Sequence, residues 1–310
     1  MFMSQFKQWL EAHDPYGLQR IVLYKALFIA TVGTYVYWLF LPASFQSFFS
    51  FFLVLAFYES PALLTFAEKE RLLIFMGIAI MLISVSFYLV YPFKGTFFFF
   101  SVAVLALTYF SVLKYFYALK NLTMLLIVNG AIILSTEPQG NLQVAYSFIS
   151  AIALAMTTTL ICLRVLPNQY LHVWNKAVQK FIHCLEEDIH YAIKEEKNSV
   201  TEAEILHLGI ARNYRKLLPK KYMMQAYRIA TNLRNIQHSL DNLYYETKNE
   251  LFWHGIKDNL QALRLKMPTY TPCELLPMPI AAETKLQHYI MHCLHQAFTH
   301  WNTLCSLQQK

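Results

Sequence analysis

The amino-acid sequence predicts an all-α protein, in which a six-span transmembrane helical bundle is followed by a cytoplasmic helical domain. Three observations support this prediction. The chain is 56% hydrophobic and only 15% charged, whereas soluble proteins carry about a quarter charged residues. Residues 1–166 hold 9 Lys and Arg and 6 Asp and Glu, against 17 and 13 in the remainder. Long apolar runs fill this first part, and amphipathic helical periodicity replaces them after Pro167.

An N-terminal segment, residues 1–20, precedes the first apolar run. Phe2, Phe6, Trp9 and Leu10 recur in it at helical spacing, which predicts an amphipathic helix lying along the membrane surface. A frayed polar tail is the alternative. The run that starts near Ile21 lacks a good signal-peptidase site, so we interpret it as a retained membrane helix.

Six apolar stretches form the predicted transmembrane domain, residues 21–166. A bilayer core needs about 20 apolar residues per helix, and fewer where the membrane thins. Prolines fall in the short connections between the stretches, where turns are needed. The predicted spans are 21–41, 43–58, 71–91, 97–117, 121–136 and 142–166.

The orientation of the bundle follows from the basic residues near the span ends, because cationic flanks stay on the cytoplasmic side. Only Lys94 falls on the opposite side. Both termini are therefore predicted to be cytoplasmic. The basic residues of the cytoplasmic side are Lys7, Arg20, Lys25, Lys69, Arg71, Lys114, Lys120, Arg164, Lys176 and Lys180.

The predicted cytoplasmic α-helical domain, residues 167–310, contains five amphipathic helices near 169–197, 201–218, 221–247, 249–267 and 280–308. An extended connector, residues 268–279, precedes the last helix, because it holds four prolines. The first of these helices carries one apolar stripe. The stripe consists of Leu171, Trp174, Val178, Phe181, Leu185, Ile189 and Ile193.

Neither a metal site nor an enzyme is predicted. The five cysteines form no C-x-x-C pair, so no disulfide framework or zinc ribbon is indicated. No phosphate-binding loop or nucleophile elbow is present, and no cofactor is expected. Two weak metal-binding patterns are present, and for each of them the alternative interpretation is an exposed helix face. They are the Glu-x-x-His pairs Glu187/His190 and Glu204/His207, and the single face that holds His288, His292 and His295.

Polar residues within or beside the spans are the candidates for a transport pathway, because hydrocarbon penalises them unless they face a cavity or another helix. Snorkelling of the basic chains to the interface and hydrogen bonds between helices are the alternatives. The candidates are Lys25, Glu59, Arg71, Lys114, Asn129, Thr157, Thr158 and Arg164.

The chain resembles the fusaric-acid-resistance (FUSC) or aromatic acid exporter family of bacterial inner-membrane proteins. Asp14-Pro15 before the first span, Pro61 with Lys69-Glu70-Arg71 before the third, and Val165-Leu166-Pro167 at the end of the sixth carry the resemblance. The chain departs from the family by having one unit where many members have two. It also has only Gly77 where members often carry Gly-Thr-x-x-Gly. The sequence therefore leaves undecided whether two helices pack closely at this point.

Transport is the function that the sequence favours. The resemblance implies efflux of amphipathic or aromatic carboxylic acids across the bacterial inner membrane, and the basic cytoplasmic end of the bundle favours an anionic substrate. The alternative is a membrane-anchored structural or assembly protein whose cytoplasmic domain docks a partner.

The expected partners are the lipid bilayer, a small organic anion and further copies of the chain. The net charge of +7 is spread over both halves of the sequence, which argues against a nucleic-acid partner. A homodimer or higher homo-oligomer is expected because relatives often fuse two units. The candidate interface residues are Trp174, Phe181, Phe298 and Trp301, and the alternative is that all four fill the core of one protomer.

Overall fold

The structure is a computed structural model, and all the regular secondary structure of its described residues is helical. It describes residues 5, 9–10, 12–42, 45–54, 58, 65–115, 142–193, 202–241 and 249–309.

The described helices are numbered here in chain order. The first five are α1 Leu18–Phe40, α2 Phe45–Ser50, α3 Phe66–Val90, α4 Lys94–Tyr115 and α5 Leu142–Val165. One 3-10 turn, Phe51–Val54, follows α2, and a second comprises Met267–Thr269. The remaining helices are α6 Tyr170–Ile193, α7 Glu202–Arg215, α8 Lys220–Asp241, α9 Glu250–Lys266 and α10 Lys285–Gln309.

The chain divides into two compact units. We call residues 19–167 the apolar unit, and residues 1–18 together with 168–310 the amphipathic unit. The N-terminal segment therefore groups with the C-terminal half of the chain. Its predicted position on a membrane surface stays a prediction.

Four described helices of the apolar unit are long and apolar enough to cross a membrane: Leu18–Phe40, Phe66–Val90, Lys94–Tyr115 and Gln143–Val165. They correspond to the first, third, fourth and sixth predicted spans. In the second predicted span, 43–58, the structure describes α2 and a 3-10 turn, of six and four residues. The fifth, 121–136, lies outside the described residues. A bundle of six spans thus stays a prediction.

Helix α3 begins five residues before the predicted start of the third span, because a capping box marks its true start. The Thr65 hydroxyl accepts from the Glu68 amide and the Glu68 carboxylate accepts from the Thr65 amide, both at 3.2 Å. These two hydrogen bonds satisfy backbone N–H groups that have no partner within the first turn of the helix. Lys69 consequently lies inside the helix and not in a flanking connection.

Helices α3 and α5 form the centre of the apolar unit. Their facing surface includes Met76, Ile80 and Ala155, which are fully or almost fully buried. Gly77 brings the helices close together, since a Cβ atom on it would lie 2.5 Å from the Met156 sulfur. Small residues permit this approach of two membrane helices. Close helix contact at Gly77, which the sequence left open, is therefore present.

Large apolar side chains also cover the outer surface of the apolar unit. Such a surface is unfavourable in water and suits contact with lipid. It supports the assignment of these helices to a membrane. The side chains include Leu23, Trp38, Leu82, Phe99, Leu107 and Ile161, each more than half exposed.

The amphipathic unit is built on α6, α8, α9 and α10. Five of the seven residues of the predicted stripe of α6 are buried: Trp174, Val178, Phe181, Leu185 and Ile189. Leu171 is half-buried, and the Ile193 side chain lies outside the described part of the chain. Helix α8 packs along α10, and α6 contacts both α7 and α9. The stripe thus supplies the centre of a helical core.

Residues 270–284 form an irregular connector that polar side chains hold against the helices. The Asn259 carboxamide accepts from the Leu276 amide at 2.7 Å and donates to the Leu276 carbonyl at 3.3 Å. Asn302 likewise accepts from the Cys273 amide and donates to the Cys273 carbonyl. These bonds satisfy backbone groups that neither helix nor strand pairs.

Candidate functional site

Two lysines approach one tyrosine ring in the apolar unit. The Lys69 ammonium lies 4.9 Å from the centroid of the Tyr58 ring, and the Lys25 ammonium lies 5.5 Å from it. Both distances are within the range of cation–π attraction. We call Lys25, Tyr58 and Lys69 the basic–aromatic cluster.

The cluster is largely shielded from solvent. Lys69 is 1% exposed and Tyr58 is 5% exposed, while Lys25 is half-buried in α1. Burial of an ammonium group is costly, and cation–π attraction returns about 2 kcal/mol where the cation is desolvated. Because fields act strongly where water is excluded, these charges are well placed to attract an anion.

A second pair of charges lies at the same end of α3. The Arg164 guanidinium donates to the Glu70 carboxylate at 3.3 Å, which joins the last turn of α5 to the first turns of α3. The Phe75 ring lies 6.3 Å from that of Tyr115, at the end of α4. The contacts thus bring the start of α3 together with the ends of α4 and α5.

The charge at this end of the apolar unit is predominantly positive among the residues that the structure describes. Glu68 and Glu70 are the described carboxylates of the whole unit. The described basic residues outnumber them at this end alone. They are Arg20, Lys25, Lys69, Arg71, Lys114 and Arg164.

The predicted pathway residues have different surroundings. Of the basic ones, Lys25 belongs to the cluster, whereas Arg71, Lys114 and Arg164 are exposed. The Thr157 and Thr158 hydroxyls donate to carbonyls one turn earlier in α5, at 2.9 and 2.7 Å, so their protons are used within their own helix. Glu59 and Asn129 lie outside the described residues.

Tyr58 and Lys69 are the members of the cluster that the sequence did not identify as pathway residues. Lys69 was predicted to be a flanking cation, because the third span was expected to start after it. The capping box Thr65-x-x-Glu68 is the signal that could have placed Lys69 inside the helix. No local pattern pairs Tyr58 with a lysine eleven residues later.

The described side chains of the two weak metal-binding patterns lie at exposed positions or contact other side chains. His288, His292 and His295 are exposed on α10. Glu187 lies 3.7 Å from His183, whereas His207 is bonded to Tyr16. No group of three His, Cys, Asp or Glu side chains able to hold a metal occurs in the described part of the chain.

The four candidate interface residues lie inside the protomer, which corrects their assignment to an interface. Trp174 and Trp301 are 0% exposed, Phe181 is 1% and Phe298 is 3%. Side chains with no exposed surface have none to bury against a second copy. They fill the core of the amphipathic unit, which is the alternative that the sequence left open.

The end of the N-terminal segment is bonded to α7. The Tyr16 hydroxyl and the His207 Nδ1 are 2.5 Å apart, and the Lys180 ammonium lies 5.7 Å from the centroid of the Tyr16 ring. Burial raises the pKa of the Tyr16 phenol above 10.0, and the neighbouring Cys184 adds to this. Burial, assisted by the charge of Lys180, lowers the pKa of His207 below 6.5.

No family model matches the chain, and neither a curated protein nor a solved structure matches it. The candidate site is therefore assigned from side-chain geometry and charge.

Proposed function

We propose that the protein transports amphipathic carboxylate anions, preferably aromatic ones, across a membrane. The basic–aromatic cluster is the observation that supports this proposal. Two ammonium groups that converge on one aromatic ring can together hold a carboxylate. Efflux of aromatic acids is also the activity that the resemblance to the FUSC family implies.

The remainder of the proposal concerns topology. We propose that six spans cross a bacterial inner membrane with both termini in the cytoplasm, which places the cluster at the cytoplasmic end. An anion that leaves a cell with a negative interior gains about 2.3 kcal/mol per charge per 100 mV. A potential of about 100 mV therefore drives export against a concentration ratio of up to about fiftyfold.

Flux into and out of proteoliposomes tests the proposal. Radiolabelled 4-hydroxybenzoate serves as the substrate, liposomes without protein measure passive leakage, and a potassium gradient with valinomycin sets the potential at constant pH. We expect flux above leakage, with a rate that follows the imposed potential. Flux equal to leakage at every potential would contradict transport of this substrate class.

Variants of the cluster test the site itself. Lys25→Gln removes one of two charges and is expected to raise KM about tenfold with a smaller change in kcat, because it weakens binding. Lys94→Gln is the matched control, since Lys94 is exposed at the start of α4, whereas the other end of α4 lies near the first turns of α3. Equal KM values for Lys25→Gln, Lys69→Gln and the unmodified protein would place the binding site elsewhere.

A further inference from the structure

Three basic residues, Lys176, Lys180 and Arg264, line an open cavity of about 360 Å³ in the amphipathic unit. That volume is at the lower end of the range of small-molecule sites, about 300–1,000 Å³. Pro15 from the N-terminal segment, α6 and the end of α9 line the cavity. One residue of the lining, His183, has a side chain that is 56% exposed.

Helix α6 contributes most of the polar lining. Lys176 and Lys180 are four residues apart, so they lie on one face with their Cβ atoms about 6 Å from each other. Gln179 and His183 also line the cavity. Two long ammonium side chains at this spacing can reach one anionic group together.

A third cation, Arg264, also lines the cavity. The Arg264 guanidinium donates to both carboxylate oxygens of the buried Glu186, at 2.7 and 2.9 Å. Its planar fork, the feature that suits arginine to carboxylate ligands, thus faces Glu186. Lys176 and Lys180 add two positive charges to the lining, as compact point charges that suit a phosphate dianion.

The lining has an apolar part as well. Pro15, Leu265 and Pro268 lie around the cavity together with the basic residues. A ligand that carries a small apolar body beside its anionic group would contact both kinds of surface. This combination favours an organic phosphate over a bare inorganic ion.

We propose that this cavity binds a phosphate monoester with a small apolar body, held chiefly by Lys176 and Lys180. The phosphate belongs either to a soluble metabolite or to a lipid headgroup, and the chemistry of recognition is the same. The inference concerns the amphipathic unit and does not depend on transport by the apolar unit.

Calorimetric titration of the full chain in mild detergent with phenyl phosphate tests this proposal. We expect saturable binding that weakens as salt is added, because screening reduces the attraction. In the double variant Lys176→Gln, Lys180→Gln we expect Kd to rise about a hundredfold. This is about tenfold for each lost charge-assisted hydrogen bond.

Two further variants separate binding from folding. Lys216→Gln, Lys285→Gln is the matched control, because both lysines are exposed, neither lines the cavity and the net charge falls equally. We expect its Kd to stay within about twofold of the unmodified value. Gln179→Glu keeps both lysines but adds a negative charge to the lining, so it too is expected to weaken binding. Circular dichroism checks that each variant is folded.

The source of the phosphate is distinguished in nanodiscs. If the ligand is a lipid, phosphatidic acid in the nanodisc lowers the apparent affinity for phenyl phosphate, whereas phosphatidylcholine does not. If the ligand is soluble, the two lipids give the same affinity. Either result supports the site. Absence of phenyl phosphate binding, or equal Kd values for the cavity and control variants, would overturn the proposal.

Discussion

Arg264 holds the carboxylate of Glu186 through two hydrogen bonds, of 2.7 and 2.9 Å, which join α9 to α6. The Glu186 side chain is only 7% exposed, whereas that of Arg264 is 28% exposed. Loss of one partner from such a pair leaves a buried charge without compensation, which costs about 3–5 kcal/mol.

Arg264→Ala is therefore expected to lower the free energy of unfolding of the amphipathic unit by about 3 kcal/mol, the lower value because water partly screens the guanidinium. Denaturant titration followed by tryptophan fluorescence measures the change. Arg212→Ala, at an exposed site on α7, is the control and should change stability by less than about 0.5 kcal/mol. A loss below about 1 kcal/mol for Arg264→Ala would show that the pair contributes little.

Gly77→Leu is expected to destabilise the apolar unit, because a side chain there collides with Met156 and Phe51. Overpacking of this kind costs about 1–3 kcal/mol. Met156→Ala in the same chain should recover part of the loss by removing the nearest obstacle. Thermal unfolding in one detergent compares these variants with Gly95→Leu, where a Cβ meets nothing within 4 Å. Equal losses at both glycines would contradict close packing at Gly77.

The stability of the amphipathic unit is expected to decrease as the pH falls below about 6.5. Since the pKa of His207 is lowered in the folded chain, the unfolded chain binds more protons in the interval between the two pKa values. Stability is therefore complete above pH 6.5 and declines until the folded pKa is reached.

His207→Gln should have a shallower decline than the unmodified protein when unfolding is measured at a series of pH values. Some decline remains, because burial, together with Arg228, also lowers the pKa of His300. His292→Gln, on the exposed face of α10, is the control. A pH profile that His207→Gln leaves unchanged would exclude this histidine as the cause.

Cys305 is expected to resist thiol reagents in the folded protein. It is 0% exposed, and burial raises the pKa of its thiol to about 11. At pH 8 only about one thiol in a thousand is then ionised, and the thiolate is the reactive form. Cys184, which is partly exposed, should react first with a maleimide, as mass spectrometry of timed samples can show. Equal labelling rates would contradict the burial of Cys305.

The helices were the most predictable part of the fold, because helix formation depends on neighbours three and four residues apart. The stripe on α6 from Trp174 to Ile189 was predicted from that spacing alone and is buried as expected. The start of α3 was misplaced by five residues. There the apolar run begins after Arg71, whereas the capping box starts the helix at Phe66.

The candidate site was predictable only in part. The sequence identified Lys25 from its position in an apolar span. It did not identify Tyr58 or Lys69, because their approach depends on how separate elements meet. The sequence also could not show whether Trp174 and Trp301 lie in a core or at an interface. Both environments require apolar side chains.

By itself the sequence determined the helical composition, the change from apolar to amphipathic periodicity at Pro167 and the basic character of the bundle's charged end, because each is a property of local order and composition. Only the tertiary structure decided which charges meet: Lys69 with Tyr58, and Arg264 with Glu186. The physical reason is that such pairs join residues that no short-range periodicity relates, so the geometry set by the packed helices determines their contact and burial.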